Sequence, residues 1–293
     1  EIDDAKKSNF LGYKQIELES IIIKYRPLND DMYEIVLLDT PFYGESGGQV
    51  GDKGVIESEN LNLEVIDTKL SDNQIIHKCK LISGQISLNQ SVNLKIDNER
   101  RIKIKANHTA THLLHEALRR ELGDHVTQKG SLVAPDRLRF DISHPKALDE
   151  NQLVLVEAEV NKQIRANWRV STLLMTPDDA IKAGAMALFG EKYGDEVRVV
   201  FMGEDYSIEL CGGTHVRRTG DIGMIKIISE SAVAAGVRRI EALTGESAQI
   251  YLNVQDKVLS EVSELLRSQS TEVLSKVRSL ISEKKKIERE LTN

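Results

Sequence analysis

Between Glu17 and about Lys105, apolar and polar positions alternate in short runs. IELESIIIKY, DMYEIVLLD, KGVIESENLNLEVID, NQIIHKCKLI and SVNLKID are rich in β-branched residues and are separated by Asn, Asp and Gly turns. This spacing predicts an antiparallel β-barrel-like subdomain over 17–106. At Asn107 the period changes: Leu113, Leu114, Ala117, Leu118 and Leu122 fall at helical spacing before Gly123. A strand pair in GSLVAPDRLRFDIS, a helix entered at Asp149–Glu150 and further alternating signals predict helices laid on a mostly antiparallel sheet over 107–250. Beyond Ile250, Leu259, Leu266, Val273, Leu280 and Ile287 recur every seven residues with no Gly or Pro between them. That stripe predicts a long amphipathic helix with coiled-coil tendency over 251–293. Ser263, Ser270 and Lys284 weaken its seam, so a helix packing on its own protein, or on something missing from this fragment, is the favoured reading of the stripe over pairing. The opening EIDDAKKSNFLGY reads as a helix entered partway, which makes residues 1–16 a linker end and the chain a piece of a longer one. The fold class is α+β.

Composition narrows the functional classes. The 293 residues are 40% hydrophobic and 29% charged, ordinary for a globular protein. No apolar run approaches the roughly 20 residues of a membrane helix. Two cysteines, Cys79 and Cys211, imply no disulfide framework and a reducing, cytoplasmic setting. The net charge of −7 excludes a protein coated in positive charge, although ERRIKIK, VRR and AGVRRIE supply local basic clusters that fit phosphate contacts. Arg101, Arg217, Arg238 and Arg239 lie in these clusters, and solvated surface is the alternative for them. At 4% aromatic content, a base-stacking platform is not evident.

The chemistry concentrates in two segments. In NHTATHLLHEAL, His108 and His112 are one helical turn apart and project from one face, the usual way a helix offers two nitrogens to one zinc ion. His115 lies about 10 Å along the axis from His108, too far to share it comfortably. A hundred residues on, CGGTHVRRTGDIG carries Cys211 and His215 around a Gly-Gly turn. Three imidazoles and a thiolate make a set suited to a borderline-soft cation, with Zn2+ the natural candidate. His77 and Cys79 alternate on one strand with no second pair nearby and read as sheet residues.

These motifs resemble those of a known family. His108-x3-His112 followed by Cys211-x3-His215 is similar to the editing domain of alanyl-tRNA synthetases and of the free-standing proteins that deacylate mischarged alanine tRNA. FYGESGGQVGD, CGGTHVRRTGDIG and AGVRRIEALTG resemble that family's signature segments in order, and the likeness covers about residues 17–250. NFLGY resembles the linker before the domain, and the C-terminal helix resembles the start of an oligomerisation and tRNA-binding extension. Nothing in the sequence resembles the class II aminoacylation core.

The resemblance implies hydrolysis, at a zinc site, of the ester joining serine or glycine to the acceptor end of tRNA(Ala). A pocket made for alanine discriminates against such near neighbours by only about 1–3 kcal/mol, so a second hydrolytic sieve is needed. In the SGGQ segment, Gly48 allows close backbone approach and Gln49 offers a donor and an acceptor to an aminoacyl group or a water. A hairpin turn with purely geometric glycines is the alternative. Thr109 is a further candidate for the serine hydroxyl, with packing as its alternative. The resemblance favours Arg238 and Arg239 near the tRNA end. Three readings stay open: an editing hydrolase, a tRNA-binding module with structural zinc, and a zinc hydrolase of small esters.

Overall fold

The structure, a computed structural model, describes residues 8–186, 195–203 and 205–292. The chain divides into two compact units, one ending at Gly245 and the other beginning at Glu246. The first unit opens with β1 (Asn9–Phe10), β2 (Glu17–Pro27), β3 (Met32–Leu37), β4 (Asp39–Thr40), β5 (Gly54–Ser58), β6 (Leu61–Ser71), β7 (Gln74–Gly84) and β8 (Ser91–Ile96). Six of these close an antiparallel barrel in the order β2-β3-β7-β6-β5-β8, as the alternation predicts. Its inward positions, among them Ile22, Ile35, Leu37, Ile56, Leu63 and Leu94, are fully buried.

The linker reading of residues 1–16 meets strand rather than helix where it can be checked: β1 pairs in parallel with β4, and residues 1–7 lie outside the described residues. His77 and Cys79 are barrel residues, as expected. His77 accepts from the Thr40 hydroxyl at Nε2 (2.8 Å) and donates from Nδ1 to the Ile35 carbonyl (3.0 Å). Burial lowers its pKa to about 4, so the ring is neutral. Burial likewise raises the pKa of the Cys79 thiol, which stays protonated.

Helix α1 (Asn98–Leu122) begins well before Asn107. The alternation in IKIK imitates a strand, but Asp97 caps the helix by accepting from the Arg100 N–H (3.0 Å), and Arg101, Ile104 and His108 share its buried face. This corrects the expectation that Arg101 reaches phosphate. Arg101 is 0% exposed, its guanidinium ion-paired with Asp52 and donating to the carbonyls of Gly12 (2.8 Å) and Pro41 (2.9 Å). It ties the ligand-bearing helix to the barrel.

The core continues with β9 (Gln128–Val133), β10 (Leu138–Ser143), α2 (Glu150–Ala166), β11 (Val170–Met175), α3 (Pro177–Lys182), β12 (Val197–Met202), β13 (Ser207–Leu210), β14 (Ile225–Ala234) and β15 (Val237–Thr244). Two antiparallel sheets form, β14-β15-β10-β9 and β11-β12-β13. Asp149 and Gln152 make a capping box at the start of α2, where the helix was expected. Helices α1 and α2 pack with the four-stranded sheet around Leu114, Leu118, Phe140, Val160 and Ile240.

The second unit is helical, but the heptad stripe is not one helix. It breaks between α4 (Gly245–Leu266) and α5 (Val273–Thr292). Arg267 takes a left-handed φ of 49°. Its N–H donates to Glu264 O, and the Ser268 N–H donates to Ser263 O (both 3.0 Å). This is a Schellman ending built on a non-glycine residue, which no Gly or Pro announces. Leu280 and Ile287 of the stripe are exposed.

Candidate metal centre

Helix α1 presents His108 and His112 inward, and the loop leaving β13 presents Cys211 and His215. One donor atom from each lies within 4.8 Å of all the others. Cys211 Sγ is 3.4 Å from His108 Nε2 and 3.3 Å from His215 Nε2. A tetrahedral ion with a Zn–S bond of about 2.3 Å and Zn–N bonds of about 2.0 Å sets its S···N edges near about 3.5 Å. The two S···N separations match such edges, and the full set, gathered within 4.8 Å, could hold a metal ion. His115 stands apart, donating from Nδ1 to Glu209 (3.3 Å).

Each imidazole is turned by a neighbour that occupies its Nδ1 and leaves the Nε2 lone pair for a cation. His108 Nδ1 donates to Gln49 Oε1 (2.7 Å), His112 Nδ1 to Glu209 Oε2 (2.7 Å) and His215 Nδ1 to the Thr109 hydroxyl (3.3 Å). His112 Nε2 is buried with no hydrogen-bond partner, which leaves its lone pair open to a ligand; His115 Nε2 is equally unpartnered but lies outside the cluster. Burial raises the pKa of the Cys211 thiol, but the three imidazoles around it win and hold it well below the ordinary thiol value, favouring the thiolate that binds metal. Burial lowers the pKa of His215 to about 3, so its nitrogen is free of a proton. For His112, burial lowers the pKa but the Glu209 carboxylate raises it well above the ordinary value. A cation arriving there displaces a proton.

Two expectations are corrected by this arrangement. Gln49 is 0% exposed and its amide is spent within the protein. Its Oε1 accepts from His108 and the Thr214 N–H (2.9 Å), and its Nε2 donates to the Thr214 hydroxyl (3.0 Å). Within the protein these bonds hold the His108 ring and the Thr214 backbone. Thr109, also fully buried, donates to Lys105 O (2.9 Å) and accepts from the Val216 N–H (3.2 Å), so its hydroxyl is not free for serine. Thr111 is spent likewise on Asn107 O (2.8 Å). Gly48 serves geometry: its φ is +85°, a Cβ would lie 2.7 Å from Ser131 O, and its own carbonyl accepts from the Val133 N–H (2.7 Å). The turn thus pins the barrel to β9.

Glu209 is the functional residue that motif reading missed. It shares strand parity with Cys211, so both face α1, and it also accepts from the Ser207 hydroxyl (3.2 Å). Glu209→Gln is expected to weaken zinc binding roughly 10–100-fold, because the amide is a poorer acceptor for His112 and His115. Competition against a chromophoric chelator measures this, and unchanged affinity would refute the role.

Among the four arginines expected at nucleic acid, only Arg217 remains exposed without an ion pair among the described residues. Arg238 pairs with Glu230 (Nη2–Oε2 2.6 Å) and Arg239 makes a two-pronged pair with Asp141 (2.8 Å each). These forks are already occupied, which lowers their availability for phosphate.

The family model of the threonyl and alanyl tRNA synthetase second additional domain matches residues 197–241, the span from β12 through Cys211 and His215 into β15. A model of class II (A) tRNA synthetases matches residues 2–100. The alanine–tRNA ligases of Sinorhizobium medicae (strain WSM419) and Rhizobium meliloti (strain 1021) are each 50% identical across 99% of this chain, which covers 35% of their length. That of Mesorhizobium japonicum is 50% identical across 97% of the chain, covering 34% of its own. The chain belongs to the alanyl-tRNA synthetase family. It spans about a third of these relatives' length. Within the described residues, the span matched by the class II (A) model folds as the barrel and the first residues of α1.

Proposed function

We propose that the chain hydrolyses the ester of serine or glycine on the acceptor end of tRNA(Ala), with zinc held by His108, His112, Cys211 and His215. The observation that carries this reading is the convergence of four donors, each imidazole turned inward by its own neighbour, in a member of a synthetase family. A zinc ion bound there supplies Lewis acidity for hydrolysis. The chain's own residues fix its surroundings: Gln49, Glu209 and Thr109 orient the rings, and Cys211 and His215, less buried than the two helix histidines, form the side nearest solvent. Arg217, two residues beyond His215, adds positive charge on that side for the phosphates of the tRNA end. Serine must be told from alanine by its hydroxyl, since size alone favours admitting alanine. The described residues include no helix long and apolar enough to cross a membrane, and a cytoplasmic setting belongs to this proposal.

A second reading, a tRNA-binding module with structural zinc, is favoured by the number of donors, because four protein ligands close a tetrahedral shell. One experiment separates the readings. Ser-tRNA(Ala), Gly-tRNA(Ala) and Ala-tRNA(Ala) are presented to the chain with and without chelator, then with zinc restored. Hydrolysis of the first two alone, lost on chelation and regained with zinc, is expected. Binding without turnover, or turnover indifferent to chelation, would overturn catalysis by the zinc site. Hydrolysis of simple esters with no preference for tRNA would point to a small-ester hydrolase.

A further inference from the structure

A second set of contacts grips the metal-bearing loop from the opposite end of the sequence. Residues 9–15 form a strap seated on the barrel. β1 pairs with β4, the Leu11 N–H donates to Thr40 O (2.9 Å), and Arg101 donates to Gly12 O (2.8 Å). Gly12 leaves no room for movement inward, since a Cβ there would lie 2.1 Å from Pro41 O. From this seat the Tyr13 hydroxyl donates to Gly212 O at 2.5 Å. The Arg198 guanidinium lies over the Tyr13 ring, 4.1 Å from its centroid, and the same Nη1 donates to the carbonyls of Cys211 (2.8 Å) and Gly213 (2.9 Å). Phe10 buttresses Tyr13 edge-on at 4.8 Å.

Three successive carbonyls, from Cys211 to Gly213, are thus each held by one of two side chains. That matters because two of the three residues are glycines, the residue type with most backbone freedom to lose, and a Cβ at Gly212 would meet nothing within 4 Å. The N–H groups of the segment are held at Arg198 O (3.0 Å, from Cys211), at Sγ itself (3.4 Å, from Gly213) and at Gln49 (2.9 Å, from Thr214), so Tyr13 and Arg198 supply the restraint on its carbonyl side. We infer that Tyr13 and Arg198 are positioning residues that clamp the Cys211–Gly213 loop and so hold the thiolate against the three imidazoles. The inference rests on the reading of these four residues as a zinc site.

The test uses the full chain loaded with zinc, following metal transfer to excess chromophoric chelator and, separately, kcat and KM on Ser-tRNA(Ala). Tyr13→Phe keeps the ring and removes only the hydroxyl; zinc loss is expected to quicken about tenfold. Arg198→Met should quicken it further, and Arg198→Lys should restore only part, since an ammonium does not reproduce the planar fork. In all three, kcat should fall with KM nearly unchanged, and Tyr13→Phe should leave the urea midpoint of the zinc-free protein in place. Wild-type zinc loss rates in both Tyr13→Phe and Arg198→Met would overturn the clamp while leaving the zinc site standing. A wild-type chain that takes up no zinc would overturn both.

Discussion

Arg101→Met is expected to cost about 3–5 kcal/mol of stability, because it leaves the buried Asp52 carboxylate without its counter-ion. Arg101 and Asp52 are 0% and 1% exposed, so water cannot take over the charge. Asp52 would keep only the Tyr43 N–H at 2.7 Å, and the carbonyls of Gly12 and Pro41 would lose their donor. The diagnostic is the double variant. Arg101→Met with Asp52→Asn removes both charges and keeps an acceptor for Tyr43, so it should be more stable than the single variant, a non-additivity that marks the cost as an unpaired charge. Urea unfolding of the zinc-free chain measures both. A double variant that loses the sum of the two single losses would show that lost packing dominates. Zinc affinity should also fall in Arg101→Met, since Arg101 and His108 lie two turns apart on one helix face and the barrel sets where that face sits.

The donor residues were legible because metal chemistry demands few residue types at fixed spacing. His-x3-His on a helix and Cys-x3-His around a Gly-Gly turn carry their geometry within a few residues. The barrel and the capped start of α2 were legible for the same reason, since alternation and capping are local. Arg101 was not legible, because its fate depends on Asp52, 49 residues away, and a basic run beside a helix looks alike whether it faces water or a carboxylate. Gln49 and Thr109 were picked out for the right neighbourhood, and the contacts they make there are to the histidines of the site. Sequence shows that an amide and a hydroxyl stand near the site, but only burial shows that their hydrogen bonds are spent on His108 and His215. Glu209 had a signal that went unused, its place two residues before Cys211 on a strand. The break at Arg267 had almost none, since a left-handed arginine is set by the Ser263 and Glu264 carbonyls that the following N–H groups find.

The two glycines of the loop should respond oppositely to a single methyl group. Gly213→Ala is expected to lower zinc affinity by at least about 100-fold, beyond the usual range for an outer contact, because it displaces a ligand itself. A Cβ at Gly213 would lie 2.0 Å from His108 Cε1, 2.3 Å from its Nδ1 and 3.0 Å from Gln49 Oε1. The ring cannot swing aside without losing either Gln49 or its place 3.4 Å from Cys211 Sγ. The loop cannot retreat without breaking the Arg198 contact to Gly213 O. Gly212→Ala places its methyl in open space and should bind zinc as the wild type does. Neither glycine has a left-handed φ, so backbone strain does not enter the comparison. Zinc stoichiometry and chelator competition on both variants decide the matter, with circular dichroism to confirm that each remains folded; overpacking of this kind typically costs about 1–3 kcal/mol, short of unfolding a domain of this size. Equal affinities in the two variants would mean that the His108 ring has room it is not seen to have, and the rigid alignment on which the catalytic reading depends would fail with it.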